Sequence, residues 1–61
     1  MSEQQKIKVL VVDDEQDIID ILTYNLQKEG YEVETAMDGI KAVIKAIAFV
    51  PDVILLDIMM P

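Results

Sequence analysis

Three aspartates carry the chemistry open to this chain. Val9-Leu10-Val11-Val12 runs directly into Asp13-Asp14, and Val53-Ile54-Leu55-Leu56 runs directly into Asp57, which Ile58-Met59-Met60-Pro61 follow. A carboxylate is strongly hydrated, so one placed right after a buried apolar strand belongs at the strand mouth, where it meets solvent or a cation. Parallel neighbours lie roughly 4.8 Å apart, so carboxylates at the ends of two such strands can share one ion. Asp13 and Asp14 would face opposite ways on a regular strand. Alternation breaks at a strand end, so both can turn to the mouth, one of them reaching the ion only through water. Crowded carboxylates repel one another, and a divalent cation relieves this. Magnesium typically takes one or two carboxylates, several waters and a phosphate oxygen, so the pattern suits Mg2+ held beside a phosphate.

One of these carboxylates could then act as nucleophile, since aspartyl-phosphate formation is established carboxylate chemistry. The metal would neutralise and position the incoming group, which is most of what phosphoryl transfer needs. The residues alone do not say which aspartate attacks; Asp57, single on its strand opposite a pair, is the natural candidate. Blander roles compete. Asp-Asp after a strand is often a helix cap, and for Asp14 alone that reading comes first. A lone Asp at a strand end is usually a solvated turn residue, and Met59-Met60-Pro61 would ordinarily be loop packing and a stop. Convergence of all three aspartates on one point favours chemistry.

Composition narrows the choices. Twelve acidic residues against five lysines leave a net charge of -7 in 61 residues, with a pI near 4.1. Such a segment repels phosphate backbones, so no direct nucleic-acid binding is expected of it. No histidine is present, which removes the usual general base and zinc ligand and leaves oxygen-bound magnesium, manganese or calcium. No cysteine is present either, so neither a disulfide nor a thiolate metal site can staple a core that is marginal at this size. The polar start, Met1-Ser2-Glu3-Gln4-Gln5, lacks a signal core, and the longest apolar run, residues 46–50, is too short to span a bilayer. A cytoplasmic protein that does not enter the membrane is expected.

The elements that must position the aspartates follow from periodicity. Residues 1–5 read as a polar lead and residues 6–12 as a strand. Its tail is apolar at consecutive positions, the mark of a strand covered on both faces, and Val9, Val11 and Val12 are β-branched. A helix follows over about residues 15–28, with Asp13 or Asp14 able to cap it. Ile18, Ile19, Ile21, Leu22 and Leu26 form its stripe, Glu15 and Asp17 lie in its first turn, Lys28 in its last, and Gly30 is its stop. Tyr31-Glu32-Val33-Glu34-Thr35 alternates, as an edge strand does whose glutamate face is wet. Asp38 is placed to cap a second helix whose core stripe is Ile40, Val43, Ile44 and Ile47. Pro51-Asp52 ends it, and a second buried strand covers about residues 52–56. Alternating strands and helices imply a parallel sheet with right-handed crossovers. With the alternating strand at the edge, the order is 2-1-3, with one helix on each face. The switch point then falls between the carboxyl ends of strands one and three, where open sheets bind ligands. Asp13, Asp14 and Asp57 map there.

Val-Leu-Val-Val-Asp-Asp-Glu, Gly-Tyr-Glu-Val-Glu-Thr-Ala, Asp-Gly and Pro-Asp-Val-Ile-Leu-Leu-Asp-Ile-Met-Met-Pro together strongly resemble the receiver domain of bacterial two-component response regulators, from about Lys6 to Pro61. The resemblance implies half of a flavodoxin-like doubly wound α/β fold, with residues 1–61 as the amino-terminal half of a receiver and no effector domain. It implies that Asp57 accepts a phosphoryl group from the phosphohistidine of a sensor histidine kinase. By the same resemblance Asp14 binds Mg2+ directly, Asp13 mainly through water, and the backbone carbonyl of Met59 is a further ligand. The role is that of a signalling phosphoacceptor with slow autodephosphorylation, not of an enzyme. The family's Ser/Thr on a fourth strand, Lys on a fifth, and glycine shortly after Pro61 have no counterpart in these residues, so phosphorylation by the segment alone is expected to be weak or absent.

The third strand would then expose its outer edge. Either the carboxyl-terminal half of a receiver or a second copy of this chain is expected to cover it. Two further readings differ in class. An aspartate-nucleophile magnesium phosphohydrolase usually shows Asp-x-Asp after the first strand, which this chain lacks. A structural, self-assembling piece would ignore magnesium altogether. Dinucleotide binding is disfavoured because no Gly-x-Gly-x-x-Gly follows strand one.

Overall fold

The computed structural model describes residues 6–56; the polar lead, Asp57 and the Ile58-Met59-Met60-Pro61 tail lie outside the described residues. Five elements alternate: β1 (Lys8–Val12), α1 (Gln16–Lys28), β2 (Glu32–Ala36), α2 (Gly39–Phe49) and β3 (Val53–Leu56). They form a parallel sheet in the order β2-β1-β3, so the order read from hydrophobic patterning holds. β1 is central because it is apolar on both faces and each face receives a helix. Val9 and Val11 pack with Ile19 of α1, joined by Leu22, Leu26, Tyr31 and Val33. Leu10 and Val12 pack on the other face with Ala36, under Ala42 and Ala46 of α2. The arrangement matches half of a flavodoxin-like fold.

The register between β1 and β3 is fixed at the amino end of β1. Asp52 accepts the Lys8 N–H on Oδ2 at 2.9 Å and donates its own N–H to the Lys8 carbonyl at 2.8 Å. The Lys8 ammonium donates to the Phe49 carbonyl at 3.2 Å and lies 5.2 Å from the Phe49 ring, supporting the end of α2. From Val9↔Val53 the pairing then runs to Val12↔Leu56.

Helix ends follow local chemistry. The α1 terminus is a Schellman motif. Gly30 at φ +96 donates to the Gln27 carbonyl, and Tyr31 donates to the Leu26 carbonyl. Asp38 caps α2 as expected, its Oδ1 accepting the Lys41 N–H at 2.8 Å. α1 departs from expectation. Its N-cap is Glu15, with no side-chain cap bond, and Asp13 instead accepts the N–H of Glu15 itself. Neither Asp13 nor Asp14 caps the helix.

Two further expectations are corrected. The Ile40, Val43, Ile44 and Ile47 stripe is not core in this chain. These side chains are between 59% (Val43) and 76% (Ile40) exposed, and the sheet is met by Ala42 and Ala46 instead. Small residues let a helix approach the sheet closely, and α2 is apolar on both its inner and outer sides, so periodicity could not tell which side turns in. The glutamate face of β2 is likewise only partly wet. Glu32 is exposed, but Glu34 lies partly covered on the α2 side and accepts from the Lys45 ammonium at 3.0 Å, while Ala36 on the same face is buried.

Val50 closes α2 in the left-handed region, at φ 52 and ψ 65, directly before Pro51. A β-branched side chain is poorly suited to that conformation. Val50 is exposed, so its side chain adds little packing. Val50→Asn is therefore expected to raise stability by about 1 kcal/mol. Urea denaturation checks this, and a lower midpoint for the variant would contradict it.

Candidate functional site

Parallel strands all end on one rim, and at the β1 end of that rim the chain changes from apolar to acidic within one residue. Asp13 directly follows Val12 and is only 5% exposed, making it the buried charged residue among those described. Its backbone extends the ladder one step past β1, donating to the Ala36 carbonyl of β2 at 3.2 Å. Its Oδ1 accepts the Glu15 N–H at 2.9 Å, which fixes the turn from β1 into α1. These bonds hold both the main chain and one carboxylate oxygen of Asp13 in place. Oδ2 has no protein donor among the described residues. Asp14, next along, is exposed.

A buried carboxylate with one oxygen committed to a backbone amide and one uncommitted is well suited to orient a hard cation or its water shell. Asp14 beside it carries a second carboxylate, exposed to solvent. The donor chemistry of Asp13 and Asp14 therefore fits magnesium. Among the described residues no three acidic side chains converge as a metal group. Of the residues expected at the site, the structure brings Asp13 and Asp14 to the carboxyl end of β1; Asp57 and Met59 lie outside the described residues.

Sequence reasoning missed the parts that hold Asp13 still. The Ala36 carbonyl and the Glu15 amide have no side-chain signature, and only strand register and turn geometry assign them. The Asp52–Lys8 bracket at the opposite rim was missed for a different reason. Asp52 was legible as part of a helix stop and as the start of the third strand, but its bonds to Lys8, 44 residues away, follow only once β1 and β3 pair.

The family model for the response regulator receiver domain matches residues 9–61. The alkaline phosphatase synthesis transcriptional regulatory protein PhoP of Bacillus subtilis is 54% identical over 54 residues, covering 88% of this chain and 22% of PhoP. The chain thus spans about a fifth of the length of that curated relative. No helix among the described residues is long and apolar enough to cross a membrane. A parallel β2-β1-β3 sheet with an acidic pair closing its central strand, together with these matches, makes the chain a member of the response regulator receiver domain family.

Proposed function

We propose that this segment, as the amino-terminal half of a receiver, carries the phosphoacceptor of a two-component pathway, with Asp57 the residue phosphorylated. The observation that carries the reading is the register of β1 with β3. Val12 pairs with Leu56, Asp13 follows the first and Asp57 the second.

In this reading a carboxylate oxygen of Asp57 attacks the phosphorus of a sensor kinase phosphohistidine. The new O–P bond forms as the N–P bond breaks, and the imidazole nitrogen leaves with the electron pair and takes up a proton. Asp14, Asp57 and the Met59 carbonyl would hold Mg2+, with Asp13 acting mainly through water. Bound there, the cation would offset charge on the phosphoryl oxygens and on the crowded carboxylates. Asp13 keeps its orientation through Glu15 and Ala36, so its share of the site is set before any phosphate arrives. The partner is a sensor histidine kinase. PhoP is by name a transcriptional regulator, but an output on DNA would have to lie outside this acidic segment.

The test is phosphoryl uptake from acetyl phosphate by a whole receiver built on this segment. Uptake is expected to reach one phosphoryl group per chain with magnesium and to vanish with EDTA. Sustained multiple turnover of a small phosphate ester, kept in Asp57→Asn but lost in Asp13→Asn, would instead mark a phosphohydrolase. The segment alone is expected to bind magnesium weakly and to label slowly or not at all.

A further inference from the structure

β1 stands between β2 and β3, so a strand added to β3 leaves the outer edge of β2 as it is. Glu32 donates its N–H to the Ile7 carbonyl, and the Ala36 carbonyl accepts from Asp13, so these residues turn their backbone groups inward to β1. Alternate residues of a parallel ladder serve opposite sides. Glu34 therefore also turns inward, while Val33 and Thr35 turn their N–H and C=O groups outward. The outward groups have no partner among the described residues. Two grooves flank this edge, one on each face of the sheet. On the α1 side a polar groove of about 310 Å3 is lined by Asp20, Tyr24 and Gln27 together with Thr35 of β2. On the α2 side a groove of about 350 Å3 is lined by Ile44, Ala48 and Phe49 beside the Glu34–Lys45 ion pair.

Successive side chains of a strand point to opposite faces, so a segment laid along β2 sends its side chains into the two grooves in turn. We propose that β2 takes up an extended basic segment of another protein as an added strand, with basic side chains toward α1 and apolar ones toward α2. Main-chain bonds to Val33 and Thr35 hold the segment, and the grooves read its alternation. On the α1 side a cation meets the Asp20 carboxylate and the ring of Tyr24, which is 65% exposed. On the α2 side Glu34 and Lys45 neutralise each other at 3.0 Å, which leaves Ile44, Ala48 and Phe49 to receive an apolar side chain. The net charge of -7 attracts a basic segment. A second copy is a poor occupant, because two β2 edges laid together bring Glu32 and Glu34 of each against those of the other. The surface needs neither Asp57 nor magnesium.

Fluorescence anisotropy of the labelled hexapeptide Lys-Val-Lys-Phe-Lys-Val, titrated with a whole receiver built on this segment, tests this. Saturable binding is expected, about tenfold or more tighter than that of Lys-Lys-Lys-Val-Val-Phe, which has the same composition without the alternation. Only alternate N–H groups of an added strand face β2. N-methylation of one alternate set of peptide nitrogens should therefore abolish binding, and N-methylation of the other set should leave it within about twofold. Asp20→Asn should weaken binding about two- to fivefold, while Glu29→Gln, the same loss of charge outside both grooves, should leave it unchanged. Equal binding of the two peptides, or equal effects of the two methylation patterns, would reduce the contact to charge attraction and overturn the proposal. Glu29→Gln weakening binding as much as Asp20→Asn would overturn it too. So would the absence of binding at millimolar peptide to a receiver shown folded by circular dichroism, which would mean that another part of the polypeptide occupies the edge.

Discussion

Asp57→Asn in a whole receiver built on this segment is expected to take phosphoryl uptake from acetyl phosphate below detection. The amide oxygen of Asn carries no negative charge and is a poor nucleophile, so the O–P bond does not form. Asp13→Asn should behave differently. It leaves the acceptor in place and removes one charge from the magnesium environment, raising the magnesium concentration needed for half-maximal labelling by about 10–100-fold. Saturating magnesium should then restore much of the uptake. Mass spectrometry of the labelled protein separates the two variants. Undiminished labelling in Asp57→Asn would end the assignment of that residue, and loss of labelling in Asp13→Asn at any magnesium level would make Asp13 more than a ligand through water.

Leu10→Ala is expected to remove cooperative folding. Leu10 is 0% exposed, at the centre of β1, and packs under α2 with Val12 and Ala36. Truncating a fully buried leucine costs about 2–5 kcal/mol through lost transfer energy and the cavity left behind. A domain of this length has only about 3–9 kcal/mol in total, at roughly 0.05–0.15 kcal/mol per residue. The core offers little room to compensate, because two small clusters, one on each face of β1, make up all of it among the described residues. Ile21→Ala, on the exposed side of α1, should shift the melting temperature only slightly. Thermal unfolding followed by circular dichroism compares the two; a Leu10→Ala transition within a few degrees of the parent would show that the two-cluster core is not what holds the sheet.

The close relation between sequence and topology has a simple origin. Val9, Leu10, Val11 and Val12 are apolar at consecutive positions, which only a strand covered on both sides can bury, so β1 had to be central. Glu32 and Glu34 interrupt the second strand, which had to be an edge. Once β1 is central and the sheet parallel, the right-handed crossover rule puts α1 and α2 on opposite faces and Asp13 at the switch point. Gly30 and Asp38 were equally legible, because a left-handed C′ residue and a side-chain N-cap are local devices that need no tertiary partner.

The chain's residues by themselves determined element order, sheet order and the acidic end of the central strand, since each follows from burial and charge along a few neighbouring positions. Only tertiary structure decided which side of α2 meets the sheet. Two apolar sides have equal periodicity, and close approach to Leu10 and Val12 selects the alanines over the larger isoleucines. Tertiary structure also decided that the Asp13 amide joins the β2 ladder at Ala36 and that Asp52 brackets Lys8. Those partners are chosen by strand register, a property of paired strands that no single segment carries, whereas the bond from the Glu15 amide to Asp13 is set locally by the turn from β1 into α1.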